Sequence, residues 1–377
     1  LFDYLNIMSS FIRPDLLAFQ AYSANPHDET PNLKPDQLDT NECPYDLPQA
    51  VKQQIAETYI KQIHTNRYPD GSHADLKSEI AGYVNEAAGI DAIEAANISV
   101  GNGSDELIRS VLIATCLGRP SSILVASPTF SMYGILAKTL GVNTIEIPRR
   151  ESDWSIDPDQ ANAAIAQAQR DGQPVRAVFV VHPNSPTSNA LNANEIAWLE
   201  TISDETLVVI DEAYYEFSRQ TLVGQLRSNW VVTRTFSKAL RLAAHRVGYA
   251  VAQPDVIAIF EKIRLPYNLP STAQAAALTA LSHRQTLLTV IDEIIAERDR
   301  LAAALSPIPS LRQWHSDANF LYIRGANDLL NLAQLAADLR SRGTLIRHTG
   351  GGLRISIGTP AENARTLANF QTLLSDA

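Results

Sequence analysis

The 377-residue sequence predicts an α/β protein: a large domain on a mostly parallel sheet covered by helices, with a smaller α+β domain beside it. Three observations predict it. Short apolar runs rich in β-branched residues alternate with helix-spaced segments from about residue 97 to residue 252, which is how strands buried on both faces are written. Several of these runs empty into loops of Gly, Ser, Thr, Asn and Asp, the residues that carry hydrogen-bonding chemistry at a sheet edge. Beyond Pro266–Pro270, a proline-bounded linker, the pattern changes to a long helical region and then strand, helix, strand, strand, helix. The expected division is 1–48 as an arm that joins the small domain, 49–270 as the large domain and 271–377 as the small domain.

In chain order, a short amphipathic piece (Leu5 to Phe11) precedes Pro14, Pro26, Pro31, Pro35, Pro44 and Pro48. That proline density suits an extended arm lying on another surface. Residues 49–64 and 73–88 have helical spacing around the turn Asn66-Arg67-Tyr68-Pro69-Asp70-Gly71. Strands are expected at 97–100, 122–126, 144–147, 176–181, 206–210, 231–235 and 247–252. Helices are expected at 107–116, 133–140, 157–170 and 194–202. The helical region 272–305 breaks near Ser282-His283.

The totals narrow the function. Hydrophobic content of 45% with 19% charged residues is that of a folded domain, not a disordered chain. A formal charge of -10 opposes non-specific binding to nucleic acid or an anionic membrane. Cys43 and Cys116 are too few for a disulfide framework, which fits a reducing compartment. No apolar run approaches a membrane span and no metal-ligand cluster stands out, so a cytoplasmic protein without a metal centre is expected.

The strand-end loops carry the chemistry. Gly101-Asn102-Gly103-Ser104-Asp105-Glu106 lacks the third glycine of a dinucleotide fingerprint, and no phosphate-loop NTPase motif exists. Two readings stand: a capped helix start, or a turn whose backbone N–H groups hold a phosphate. Phe130, in Ser127 to Tyr133, offers a face for stacking on a flat ring or for plain packing. His182-Pro183-Asn184-Ser185-Pro186-Thr187 is either a proline-stiffened turn or a row of donors on the same edge. Asp211 ends an apolar run, and a buried carboxylate needs a cation. A structural arginine would serve, as would a protonated pyridine nitrogen. Tyr214 is placed to turn a phenol toward the same ligand. Lys238 closes Thr235-Phe236-Ser237-Lys238 where a desolvated amine becomes reactive, and Arg246 supplies a fork for a phosphate dianion. A phosphate nest, a stacking ring, an amide, a carboxylate and an amine are together what pyridoxal phosphate requires.

The order Gly-Ser-Asp-Glu, Pro-Thr-Phe, Asp-Glu-Ala-Tyr, Thr-Phe-Ser-Lys and a downstream arginine resembles the fold-type I pyridoxal-phosphate aminotransferases, whose large domain holds a seven-stranded sheet. Phe11-Ile12-Arg13-Pro14, Leu38-Asp39-Thr40-Asn41-Glu42 and Gly352 to Thr359 are similar to the histidinol-phosphate aminotransferase branch of that family. The resemblance implies pyridoxal 5'-phosphate as cofactor, with Lys238 bonded to its aldehyde, Asp211 on the pyridine nitrogen and Tyr214 on the ring hydroxyl. It further implies Phe130 stacking on the ring and Gly103, Ser104, Asp105, Thr235, Ser237 and Arg246 around the phosphate. Tyr68 is implied to reach the same phosphate from the second subunit of a homodimer. The family's Asn-Pro-Thr-Gly reads Ser185-Pro186-Thr187-Ser188 here, which displaces the asparagine and leaves the ring-hydroxyl contact to the neighbouring Asn184 or to Ser185. Tyr22, Asn41, Arg347 and Arg354 are implied for substrate, a small phosphorylated amine exchanged against 2-oxoglutarate and glutamate. Taken on its own, Arg347 has a second reading as a surface charge. Threonine-phosphate decarboxylation, aromatic transamination and a non-catalytic cofactor-binding regulatory domain are the rival expectations.

Overall fold

The computed structural model describes residues 11–17, 19, 35–327 and 329–374. Its strands are β1 (Asp36–Gln37), β2 (Ile98–Asn102), β3 (Ser122–Ser127), β4 (Asn143–Pro148), β5 (Val175–Val181), β6 (Leu207–Asp211), β7 (Trp230–Thr235), β8 (Val247–Ala252), β9 (Leu311–Gln313), β10 (Phe320–Gly325), β11 (Thr344–Leu345), β12 (Arg347–Thr349) and β13 (Gly352–Ser356). Seven of these form one sheet in the order β2-β8-β7-β6-β5-β3-β4. They are the seven strands expected from the apolar runs. The pairs β3–β4, β3–β5, β5–β6 and β6–β7 are parallel, and β8 runs antiparallel to both β2 and β7.

That reversal positions the site. The carboxyl ends of β2, β3, β5, β6 and β7 and the amino end of β8 all reach one edge of the sheet. Side chains alternate between faces along each strand, and both faces are covered. Val208 and Ile210 join one buried cluster with Val178, Val180 and Val232, whereas Val209 joins the other with Phe179 and Val231. Each such valine or isoleucine, fully buried, contributes roughly 1.5–3 kcal/mol, so the central strands are the rigid part of the molecule.

The helices begin where their caps lie. Asp157 accepts from the N–H groups of Asp159 and Gln160 to open Pro158–Arg170. Asn192 and Glu195 form a capping box at Ala193–Glu200. One helix, Pro254–Ile263, has no counterpart among the expected elements, although its Pro254 sits at the first helical position. The sequence places Ser271–Ser282 in the small domain, but this helix packs on the helices Gln49–Gln62 and Ala74–Ala88 beside the seven-stranded sheet.

A second sheet, β12-β13-β10-β9, is antiparallel throughout, and β1 pairs in parallel with β11. Arg365 anchors that arm strand through two bonds to Asp36, at 2.6 and 2.9 Å. From β1 the chain runs past Asp39 and Asn41, both buried, into the crevice between the two sheets. Near the start, Arg13 donates to the Thr139 carbonyl at 2.9 Å, which ties the arm to the helix Met132–Leu140. Among the described residues no helix is long and apolar enough to cross a membrane.

Candidate active site

The shared sheet edge encloses a cavity of about 120 Å³ lined by Ser104, Asp105, Phe130, Val181, Ser185, Asp211, Ala213, Tyr214, Thr235, Ser237, Lys238 and Arg246. Nine of these are residues singled out from sequence. They converge from five strand ends because β8 returns antiparallel and delivers Arg246 next to the start of the helix Gly103–Cys116. A wider groove of about 1180 Å³ follows the outer strand β4, but its charged groups, Lys138 and Glu146, are exposed. The smaller cavity instead has a buried carboxylate, Asp211, and a half-buried amine, Lys238, in its wall.

Asp211, the last residue of β6, is buried and accepts from the Tyr133 hydroxyl at 2.8 Å and the Ala213 N–H at 3.1 Å. Among the described residues no cation contacts it. Burial therefore pushes its carboxyl up to about 6, against the pull of those two donors. Lys238 donates from Nζ to the Thr40 carbonyl at 2.7 Å. Burial first, then the positive charge of Arg354, brings its amine down to about 8, although Glu42 acts in the opposite direction. Tyr214 is buried; its hydroxyl accepts from Asn41 Nδ2 at 2.9 Å. Asn41 is itself held by Ser356 and Asn319, so the arm reaches the site along a fixed route.

At the other end of the cavity the first turn of Gly103–Cys116 presents N–H groups, the usual place for an anion. Thr235 and Ser237 hydroxyls lie 3.0 Å apart, with Arg246 Nη1 3.4 Å from Ser237 and Nη2 3.2 Å from Asp105. Gly103 acts differently from the sequence assignment. Its N–H donates to the Arg246 carbonyl at 2.8 Å and is not free for a phosphate. What matters there is the missing side chain, since a Cβ would lie 2.6 Å from Arg246 Nη2 at a φ of +71°.

Asn184 is a correction. Its amide donates to the Pro128 carbonyl and Thr187 Oγ1, and accepts from Thr129 and Arg149, all within the protein. It braces the loop and does not reach the cavity. Ser185 lines the wall instead, and its hydroxyl accepts from Arg354 Nη1 at 3.1 Å. The signal was available: Ser185 occupies the place of the asparagine in Asn-Pro-Thr-Gly. Sequence reasoning misses Tyr133, because the same motif offers Phe130 as the stacking ring. Three residues apart at a helix start, the two rings meet edge to face at 5.5 Å, and the deeper one carries the hydroxyl to Asp211.

Arg354 and Arg347 are direct cross-strand partners in the β12–β13 hairpin. Arg354 also donates to the Asp39 carbonyl at 2.6 Å. Tyr68 stands apart from the cavity, 81% exposed and stacked on Tyr267 at 4.6 Å. Tyr22 lies outside the described residues.

The donor set suits pyridoxal 5'-phosphate. A buried carboxylate held only by neutral donors matches a pyridinium, a helix start with two hydroxyls and an arginine matches a phosphate, and a desolvated amine matches an aldehyde. Comparison with known proteins agrees. The Aminotransferase class I and II family matches residues 37–370. The chain belongs to that family. A histidinol-phosphate aminotransferase of Nostoc sp. is 55% identical, across 97% of this chain and 98% of its own length. That of Trichodesmium erythraeum is 54% identical across 97% and 99%. The crystal structure of the Sinorhizobium meliloti histidinol-phosphate aminotransferase, in complex with pyridoxal-5'-phosphate, shares the fold of this family member with a TM-score of 0.81 at 22% identity, over 97% of this chain and 98% of its own.

Proposed function

We propose that this aminotransferase uses pyridoxal 5'-phosphate to exchange the amino group of L-histidinol phosphate with 2-oxoglutarate, giving imidazole-acetol phosphate and L-glutamate in histidine biosynthesis. The observation that carries the substrate class is the Arg347–Arg354 pair. Like charges directly opposite on a sheet repel, and an anion between them turns that repulsion into binding. Arg354 lies near enough to Lys238 and Tyr214 to act on both, which sets an anionic group of the substrate beside the reactive amine.

When bound, the cofactor supplies an electrophilic carbon and an electron sink. The residues supply the rest. Lys238, part neutral near pH 8, is able to take a proton from the substrate's α-carbon and return it one position away. Asp211 would hold a positive charge at the ring nitrogen, and in doing so would regain the charged form that burial alone disfavours. Tyr214 and Ser185 would serve the ring hydroxyl and Phe130 the ring face. Ser104, Asp105, Thr235, Ser237 and Arg246 would hold the phosphate.

The exposed Tyr68–Tyr267 stack, beside Leu265 at 72% exposure, is apolar surface that a second copy would cover. A cytoplasmic homodimer in which Tyr68 completes the partner's phosphate site is the assembly proposed. Its test is sedimentation; a fully active monomer would remove it.

The decisive experiment mixes the purified holoenzyme with L-histidinol phosphate, follows the cofactor absorbance, and then assays glutamate on adding 2-oxoglutarate. Release of carbon dioxide in place of glutamate would assign a decarboxylase. Lys238→Ala should lower turnover by about 10⁴-fold or more, the scale of losing a group that acts on the reacting atoms. Residual turnover within tenfold of wild type would refute the role given to that amine.

A further inference from the structure

We infer that Arg324 is a positioning residue for the Arg347–Arg354 pair: gripped by Glu151 and the Trp154 ring, it fixes the Gly350 carbonyl and with it the hairpin on which both arginines sit. The inference rests on reading that pair as the site for the substrate's phosphate.

Arg324 lies on β10, and none of its contacts is with the cavity. Nη1 reaches Glu151 at 3.0 Å, Nη2 reaches the Gly350 carbonyl at 2.6 Å, and the guanidinium lies 4.5 Å above the Trp154 ring. Glu151 and Trp154 belong to the segment after β4, on the seven-stranded sheet, whereas Gly350 is the turn between β12 and β13. One side chain thus spans the crevice and ties the hairpin's tip to the opposite layer. Tyr322 donates to the same carbonyl at 2.6 Å.

The tip is also a close fit. A Cβ on Gly350 would lie 2.8 Å from Pro128 and 3.0 Å from Pro186, at a φ of +61°. Pro128 precedes Phe130 by two residues and Pro186 follows Ser185. The turn is therefore wedged between the two loops that carry the stacking ring and the Ser185 hydroxyl. Slippage of the tip would shift Arg347 and Arg354 against the cavity while leaving Asp211 and Lys238 in place.

Stability does not explain the arrangement. Tyr322 already satisfies the Gly350 carbonyl, and the ion pair joins an arginine side chain 23% exposed to a glutamate 56% exposed, where such pairs contribute little. What the pair does supply is a fixed geometry, because only the arginine fork reaches Glu151 and Gly350 at once.

The test uses the holoenzymes of Arg324→Ala, Arg324→Lys and Glu151→Gln, with L-histidinol phosphate and its dephosphorylated analogue L-histidinol. In Arg324→Ala the KM for the phosphorylated substrate should rise about tenfold with kcat within about twofold, as expected when a binding group is misplaced but the reacting groups are not. The dissociation constant of inorganic phosphate for the holoenzyme, read by calorimetry, should rise in parallel. Turnover of L-histidinol and the affinity of the cofactor-free protein for pyridoxal 5'-phosphate should be unchanged. Glu151→Gln, at an exposed position, should show a smaller loss of the same kind, and Arg324→Lys should not restore the wild-type KM. Equal losses on both substrates, or an unchanged KM in Arg324→Ala, would overturn the inference. A wild-type enzyme indifferent to the phosphate would instead remove the reading of the arginine pair, and this inference with it.

Discussion

Asp211 and Glu212 are neighbours at the end of β6, both buried, and the chain treats them in opposite ways. Glu212 faces away from the cavity. Arg234 Nε and Nη2 reach it at 3.0 and 2.8 Å, Thr221 Oγ1 and the Leu222 N–H add donors, and the Arg234 guanidinium lies 3.9 Å from the Tyr215 ring. Every demand of that charge is met from within. Asp211 faces the cavity and has a phenol and a backbone N–H, but no cation among the described residues. One carboxylate is finished by the fold. The other is left for a ligand to finish, and that difference locates function more sharply than burial or charge alone.

The largest effect should come from spoiling the finished side. Arg234→Met leaves Glu212 buried and unpaired, which costs about 3–5 kcal/mol when one partner of such a pair is removed. Denaturant unfolding would read it. Glu212→Gln added to Arg234→Met should recover part of the loss, since the stranded charge is then gone. Destabilisation below about 1 kcal/mol would show that the pair is not the closed unit described, since breaking such a pair is strongly destabilising.

Much of this was legible before the structure. The seven strands stand out because their apolar runs are buried on both faces, and nine of the cavity's residues lie at or beside their ends. What was hidden depends on three-dimensional neighbours. Nothing in Asp211-Glu212 says which carboxylate points into the cavity; the alternation along β6 decides it only once the sheet faces are known. Asn184 is a better hydrogen-bonding residue than Ser185 on paper, yet Arg149, Thr129 and Pro128 occupy its amide. Arg324 looks like any strand arginine until Glu151, distant in sequence, arrives beside it.

The unfinished side should behave with the opposite sign. In the cofactor-free protein the Asp211 carboxyl titrates at about 6, above its ordinary 3.8. The folded state then binds more protons than the unfolded state between those values, so stability falls as pH rises from about 4 to 6 and stays reduced above. Asp211→Asn removes that slope, and should stabilise the cofactor-free protein at pH 7 by roughly 3 kcal/mol, at about 1.4 kcal/mol per pKa unit. The same substitution should weaken retention of pyridoxal 5'-phosphate and slow turnover. Thermal melting against pH, with and without cofactor, reads both signs. If Asp211→Asn destabilises the cofactor-free protein, the contrast with Glu212 is lost.

Tyr133→Phe sharpens the comparison with the smallest change. The phenol is fully buried, stacked on Phe179 at 4.7 Å, so phenylalanine keeps the packing and loses one oxygen. A hydrogen bond to a charged acceptor is worth about 1.5–3 kcal/mol, and the Ala213 N–H remains to share the load, so the lower end applies. The charged form of Asp211 alone loses that support. Its midpoint in the cofactor-free protein should therefore move up by about one pH unit, and cofactor affinity should drop about twofold at pH 7, because the charged fraction of Asp211 falls from roughly nine-tenths to one half. Secondary structure by circular dichroism should not change. A midpoint that stays put would mean that burial by itself sets the charge of Asp211. The tyrosine would then be packing, and the cavity's demand for a cation would owe nothing to the helix beside it.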